Sequence, residues 1–115
     1  MRIRIAVDIM SGDNSPEVVI EGALQAARDF DIEIILVGDK KYESLIPADA
    51  VGGSVRFVES KSVVLMTDSP TSVMNEKADS SMAIATLLLK NGEADVLVSS
   101  GNTGALFTAA SLQIR

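Results

Sequence analysis

Ala94-Asp95-Val96-Leu97-Val98-Ser99-Ser100-Gly101-Asn102-Thr103-Gly104-Ala105 joins an apolar run to a turn of hydroxyls, glycines and an amide. Leu106-Phe107-Thr108-Ala109-Ala110 continues it in a helical pattern, so the stretch reads as strand, turn and helix. Val96–Ser99 is apolar on both faces, and so is the earlier run Glu33–Val37. A strand without a polar face must be covered from both sides, which is the signature of a parallel sheet between layers of helices. The chain is therefore predicted to be α/β, with three layers: a largely parallel sheet and helices on both faces.

The rest of the chain alternates in the same way. Ile3–Asp8 reads as a first strand, and Ser15-Pro16-Glu17 supplies a cap, a first-turn proline and an early acid for a helix running to about Phe30. Val19, Ile20, Ala23, Leu24, Ala27 and Phe30 fall on one face of that helix. Glu33–Val37 is the second strand, a short helix is expected over Lys41–Ile46 before Pro47, and Val55–Val58 and Val63–Met66 read as further strands. Asp68-Ser69-Pro70 marks another loop and helix start. Asp79-Ser80-Ser81 caps a helix to Asn91 with Gly92 as its stop, Ala94–Ser99 is the last strand, and Gly104–Arg115 the last helix. The Ser80–Asn91 helix carries Ile84, Ala85, Leu87, Leu88 and Leu89 almost all round, and the last helix ends at Ile114-Arg115 with no cap. Helices apolar on every side need cover on every side. A single domain over 1–115, forming the N-terminal portion of a longer protein or a protomer covered by a partner, is the expectation.

Composition narrows the function. At 115 residues and 47% hydrophobic content the chain can bury a core as one domain. Its net charge of −6 and 3% aromatic content leave little with which to neutralise phosphates or stack bases, which argues against nucleic-acid binding. There is no His and no Cys, so Ser–His or Cys nucleophiles and His-based metal sites are excluded within this chain. No signal-peptide pattern and no membrane-length apolar run is present, and a cytoplasmic location is the default.

Chemistry then falls to the polar loops. Ligands of parallel α/β sheets bind outside the carboxyl ends of the strands, where the loops after Asp8, Met66 and Ser99 are expected to open. The Ser99–Gly104 turn offers backbone amides and a positive helix end to an anion, although it is neither a Walker A loop nor a dinucleotide fingerprint, and a plain tight turn fits as well. Asp8, at a strand end, is suited to orienting a hydroxyl or binding Mg²⁺; the alternative is a solvated turn with Asp13 or Ser15 capping the helix. Ser80 and Ser81 are placed to hold an anion with Lys77 supplying charge, or else Asp79 or Ser80 merely caps and Lys77 is solvated.

Taken together, Asp8-Ile9-Met10-Ser11-Gly12-Asp13-Asn14-Ser15-Pro16, Asp68-Ser69-Pro70, Lys77-Ala78-Asp79-Ser80-Ser81-Met82 and Ser99–Ala105 occur in an order that resembles the bacterial acyl-acyl-carrier-protein:phosphate acyltransferases of phospholipid synthesis. The likeness extends through Glu21-Gly22-Ala23 and Leu36-Val37-Gly38-Asp39, and the family's members are considerably longer. It implies a fold similar to the isocitrate/isopropylmalate dehydrogenases. It also implies attack of inorganic phosphate on an acyl-carrier thioester, with no cofactor and no metal. By resemblance, Asn102, Thr103 and the Gly101 and Gly104 backbone hold phosphate beside Ser99. Lys77, Ser80 and Ser81 supply charge and donors, and Asp8, Gly12 and Asp13 shape the floor; Lys77, Asn102 and Thr103 are the catalytic candidates. Acyl carrier protein and phosphate are the implied partners of a cytoplasmic homodimer, associated peripherally with the membrane beside the downstream acyltransferase.

Five positions depart from the family pattern: Ser11 stands where a second Gly is usual, Asn14 for His, Asn75 for Arg, Ala78 for Lys and Ser100 for Ala. Asn75 and Ala78 remove two cations, and a hydrogen bond to a charged group is worth roughly 1.5–3 kcal/mol, so weakened anion affinity is expected. A non-catalytic phosphate-binding remnant and a phosphate acetyl- or butyryltransferase acting on acyl-CoA are the competing readings.

Overall fold

The apolar run at residues 32–38 becomes the second strand of a four-stranded sheet whose other members line up parallel to it. The computed structural model describes residues 3–10, 15–47, 54–61 and 80–99. Strands β1 (Ile3–Asp8), β2 (Ile32–Gly38), β3 (Val55–Glu59) and β4 (Val96–Val98) stand in the order β3-β2-β1-β4. Helix α1 (Pro16–Asp29) links β1 to β2, a 3₁₀ helix (Lys40–Leu45) follows β2, and α2 (Ser81–Lys90) precedes β4. The chain steps one way across the sheet from β1 to β3, then returns to the other side of β1 for β4. Right-handed crossovers running in opposite directions put their helices on opposite faces.

The alternation of side chains along β1 and β2 bears this out. Val7, Ile34 and Leu36 face α1 and pack with its Ile20 and Ala23, and Ile9, Ile46 and Val55 complete that cluster. Ala6, Ile35 and Val37 face the other way, against Ala85 and Leu88 of α2 and Ala94. Each fully buried Ile, Leu or Val side chain contributes about 1.5–3 kcal/mol relative to exposure, so continuous apolar strands are stable only with both faces covered. The expected three-layer α/β architecture with a parallel sheet is the observed one.

Local chemistry sets the element ends. Ser15 caps α1 by accepting from the Val18 amide at 3.4 Å, with Pro16 in the first turn. Ser80 caps α2 by accepting from Ala83 N–H at 3.1 Å, and Gly92 closes that helix at φ +79°, a left-handed conformation suited to glycine. Asp39 caps the 3₁₀ helix through Lys41 N–H. Two expectations shift. Phe30, placed by its spacing on the buried face, is the extended C-cap of α1 and is 66% exposed, because its backbone has already left the helix. The last strand is shorter than Ala94–Ser99, since Glu93 and Ala94 donate back to Leu88 to close α2 and Asp95 donates to Arg4 before pairing begins. α2 is apolar nearly all round: Met82, Ala83 and Thr86 are buried along with Ala85 and Leu88, while Leu87 is exposed. The expected strand at Val63–Met66, the Asp68-Ser69-Pro70 start and the helix from Gly104 lie outside the described residues.

Candidate functional site

The strand order reverses between β1 and β4, and the carboxyl ends of the strands at such a switch point are where open α/β sheets bind ligands. Asp8 ends β1 there. The β1–β4 register pairs Ala6 with Leu97 and Val7 with Val98, so one step further sets Asp8 beside Ser99. Asp8 shares the α2-facing side of the sheet with Ala6, and α2 begins at the same edge.

A buried carboxylate needs donors, and Asp8, 3% exposed, has them from three segments. Ser81 Oγ donates to its Oδ1, Met10 N–H donates to the same oxygen at 3.0 Å, and Ser99 Oγ donates to Oδ2 at 3.0 Å. One side chain thus ties together Met10 just after β1, the first turn of α2 and Ser99 just after β4. Ser80 and Ser81 are fully buried, and Ser99 is half-buried. Orienting hydroxyls is the role that the contacts of Asp8 display, while Ser15 caps α1 as the alternative reading of this loop expected.

Four of the sequence-predicted site residues, Asp8, Ser80, Ser81 and Ser99, are therefore gathered at one edge. Gly12, Asp13, Lys77, Gly101, Asn102, Thr103 and Gly104 lie outside the described residues, as do the departures at Ser11, Asn14, Asn75, Ala78 and Ser100.

Sequence reasoning passed over Ile9, Met10 and Gly38. Ile9 is fully buried and donates its amide to Val37 O at 3.1 Å, which folds it across the end of β2. A Cβ on Gly38 would lie 2.4 Å from Ile9 Cγ1, so glycine is what lets the chain leaving Asp8 turn over β2. The signal was present as two apolar residues placed directly between a strand-end Asp and a polar loop.

A concavity of about 240 Å³ opens at the opposite edge among Arg4, Glu33, Arg56 and Glu93. Its cations are already engaged: Arg4 pairs with Asp95 at 3.2 Å and Arg56 with Glu93 at 3.6 Å. Among the described residues, no helix is long and apolar enough to cross a membrane.

A family profile described as "Fatty acid synthesis protein" matches residues 3–115. A phosphate acyltransferase of Desulfitobacterium hafniense is 45% identical over 111 residues, covering 96% of this chain and 33% of its own length. Proteins of the same name from Citrifermentans bemidjiense (42% over 115 residues, 98% of this chain and 33% of theirs) and Streptococcus sanguinis (41% over 107 residues, 92% and 32%) are similar to it. The chain spans about a third of the length of these curated relatives.

Proposed function

This chain belongs to the fatty acid synthesis protein family, and we propose that the protein it represents transfers a fatty acyl group from acyl carrier protein to inorganic phosphate, forming acyl phosphate for phospholipid synthesis. In this reading residues 1–115 form the N-terminal portion of a two-domain enzyme and supply one wall of its cleft. Phosphate lies between the first turn of α2 and the turn after β4. Ser80, Ser81 and Ser99 flank it, the Gly101 and Gly104 backbone with Asn102 and Thr103 cradles it, Lys77 supplies charge, and Gly12 and Asp13 shape the floor below.

The chemistry asks for alignment and charge stabilisation, not for a protein nucleophile. A phosphate oxygen attacks the thioester carbonyl carbon, and negative charge gathers on the carbonyl oxygen. The carbon–sulfur bond then breaks, and the proton of hydrogen phosphate ends on the carrier's thiol. Acyl phosphate and free carrier protein are the products. A chain with no His and no Cys is adequate for this, because the substrate brings the nucleophile. The observation that supports the reading most is the Asp8 junction, which draws Ser81 and Ser99 to the switch point of the sheet. The names of the relatives support phosphate as acceptor; acyl carrier protein as donor, a homodimer, and a cytoplasmic enzyme working at the membrane surface complete the proposal.

The test replaces the corresponding third of the Desulfitobacterium hafniense relative with this chain and follows release of carrier thiol from a long-chain acyl carrier protein. Phosphate-dependent release matched by acyl phosphate is expected, with short acyl-CoA a poor donor. A folded hybrid that releases no thiol beside an active parent would overturn the proposal, and preference for acyl-CoA would transfer it to the acetyl/butyryl type.

A further inference from the structure

The two faces of β4 are covered unequally. Register sets Ile5 beside Val96 and Val7 beside Val98. Paired residues share a face, so Val96 and Val98 lie on the α1 side of the sheet, as does Ile3. Over β1 and β2 that side is closed by α1, whose Ile20 and Ala23 pack with Val7, Ile34 and Leu36. Over β4 it is open: Val96 is 43% exposed, Val98 50%, and the neighbouring Ile3 53%. The other side of β4 is closed, because Leu97 packs with Ala6, Ala85 and Leu88. A strand apolar on both faces is thus covered on one.

Helix α1 borders the open side. Its Leu24 and Arg28 line a hollow shared with Leu45 of the 3₁₀ helix, which packs against β3. With Ile20 and Ala23 against the sheet, helical spacing turns Val19, Gly22 and Ala26 the opposite way, towards β4. Val19 and Ala26 are half-buried, and Gly22 meets open space. An uncharged shelf therefore lies beside α1, floored by Ile3, Val96 and Val98 and walled by small side chains. Helices are what close such a face in a parallel sheet. An uncharged apolar surface suits a permanent partner better than a transient one. The chain matches 33% of the length of its relatives from Desulfitobacterium hafniense and Citrifermentans bemidjiense, which leaves the greater part of each outside the match.

We propose that a helix from the part of the enzyme beyond this chain docks on Ile3, Val96 and Val98 alongside α1, with Leu, Ile or Val at helical spacing towards the sheet and a polar face outward. The inference rests on the reading of residues 1–115 as the N-terminal portion of a longer enzyme. It adds that the two portions share one core at the switch point of the sheet, and do not meet across a cleft alone.

The chain has no Cys, so a thiol introduced into it reports on its own surroundings. Val98→Cys and Val96→Cys are compared in the 115-residue chain and in the full-length hybrid with the Desulfitobacterium hafniense relative. Alkylation by iodoacetamide is followed peptide by peptide by mass spectrometry. In the chain alone both thiols should react at a rate comparable to that of Gln25→Cys, an exposed position on α1. In the hybrid they should react at least ~10-fold more slowly, because reagent reaches a covered strand only through local opening, while Gln25→Cys keeps its rate. Equal rates at Val96 and Val98 in the chain and in a folded hybrid would overturn the inference and leave the N-terminal reading standing. Protection in the chain alone that grows with its concentration would replace the helix by a second copy, and protection independent of concentration would replace it by cover from within the chain. An unsubstituted hybrid that fails to fold beside a folded parent would overturn the N-terminal reading itself, and this inference with it.

Discussion

Replacing Asp8 and Ser81 by alanine, singly and together, measures how firmly the carboxyl end of β1 holds the start of α2. Asp8 is 3% exposed and Ser81 is fully buried, so no water takes the place of the lost partner. A hydrogen bond to a charged group contributes about 1.5–3 kcal/mol, and a buried group left unsatisfied costs a similar amount. The double-mutant cycle cancels the carboxylate's desolvation and the helix propensity gained by alanine at the first position of α2. Its coupling energy should be about 1.5–3 kcal/mol, which is roughly a 10- to 150-fold change in the folding equilibrium. The same cycle between Asp8 and Ser99 should give less, under about 1 kcal/mol, because the half-buried Ser99 can exchange its bond for water. Urea unfolding followed by circular dichroism reads all the variants, and an unchanged denaturant slope confirms that the native and unfolded states stay comparable. A coupling below about 0.5 kcal/mol for Asp8 and Ser81, or one no larger than that for Ser99, would refute the reasoning from burial.

Three further outcomes follow from the same structure. Gly38→Ala places a Cβ 2.4 Å and 2.6 Å from the buried side chain of Ile9 and should destabilise by about 1–3 kcal/mol; Gly22→Ala, in open space inside α1, should stabilise by about 0.5–1 kcal/mol in the same urea assay. Gly92→Ala forces a left-handed residue at φ +79° to carry a Cβ and should cost about 1 kcal/mol by thermal or urea unfolding. Asp95 accepts from Arg4 Nε and Nη2 and from the Arg4 amide, and these bonds hold its carboxyl below the usual carboxylate range. A depressed folded value stabilises above the unfolded pKa and is lost as pH falls through the folded one, so the stability gap between wild type and Asp95→Asn should be constant near neutrality and close in acid.

The fold was legible because its decisive signal is local. Ile34-Ile35-Leu36-Val37 has no polar side, and the structure sends Ile34 and Leu36 to one layer and Ile35 and Val37 to the other. Caps were legible for the same reason: Ser15 and Ser80 bond amides three residues away. What local spacing does not carry is strand order. Residues 8, 81 and 99 meet only because β4 returns to the far side of β1, a fact set by the whole sheet. Asp8 was therefore recognisable as a strand-end carboxylate able to orient a hydroxyl, but which hydroxyls it orients was not. Phe30 failed for a related reason. Helical periodicity assigns it a buried face, while its extended C-cap backbone turns it to solvent.

Phosphate titration of the isotopically labelled chain, followed amide by amide by NMR, tests the central claim most directly. The account predicts saturable shifts at Met10, Ser81, Met82 and Ser99, at the carboxyl edge between β1 and β4, with Arg4 and Arg56 at the opposite edge unmoved. Shifts centred on Arg4 and Arg56, or none at the Asp8 junction, would contradict it.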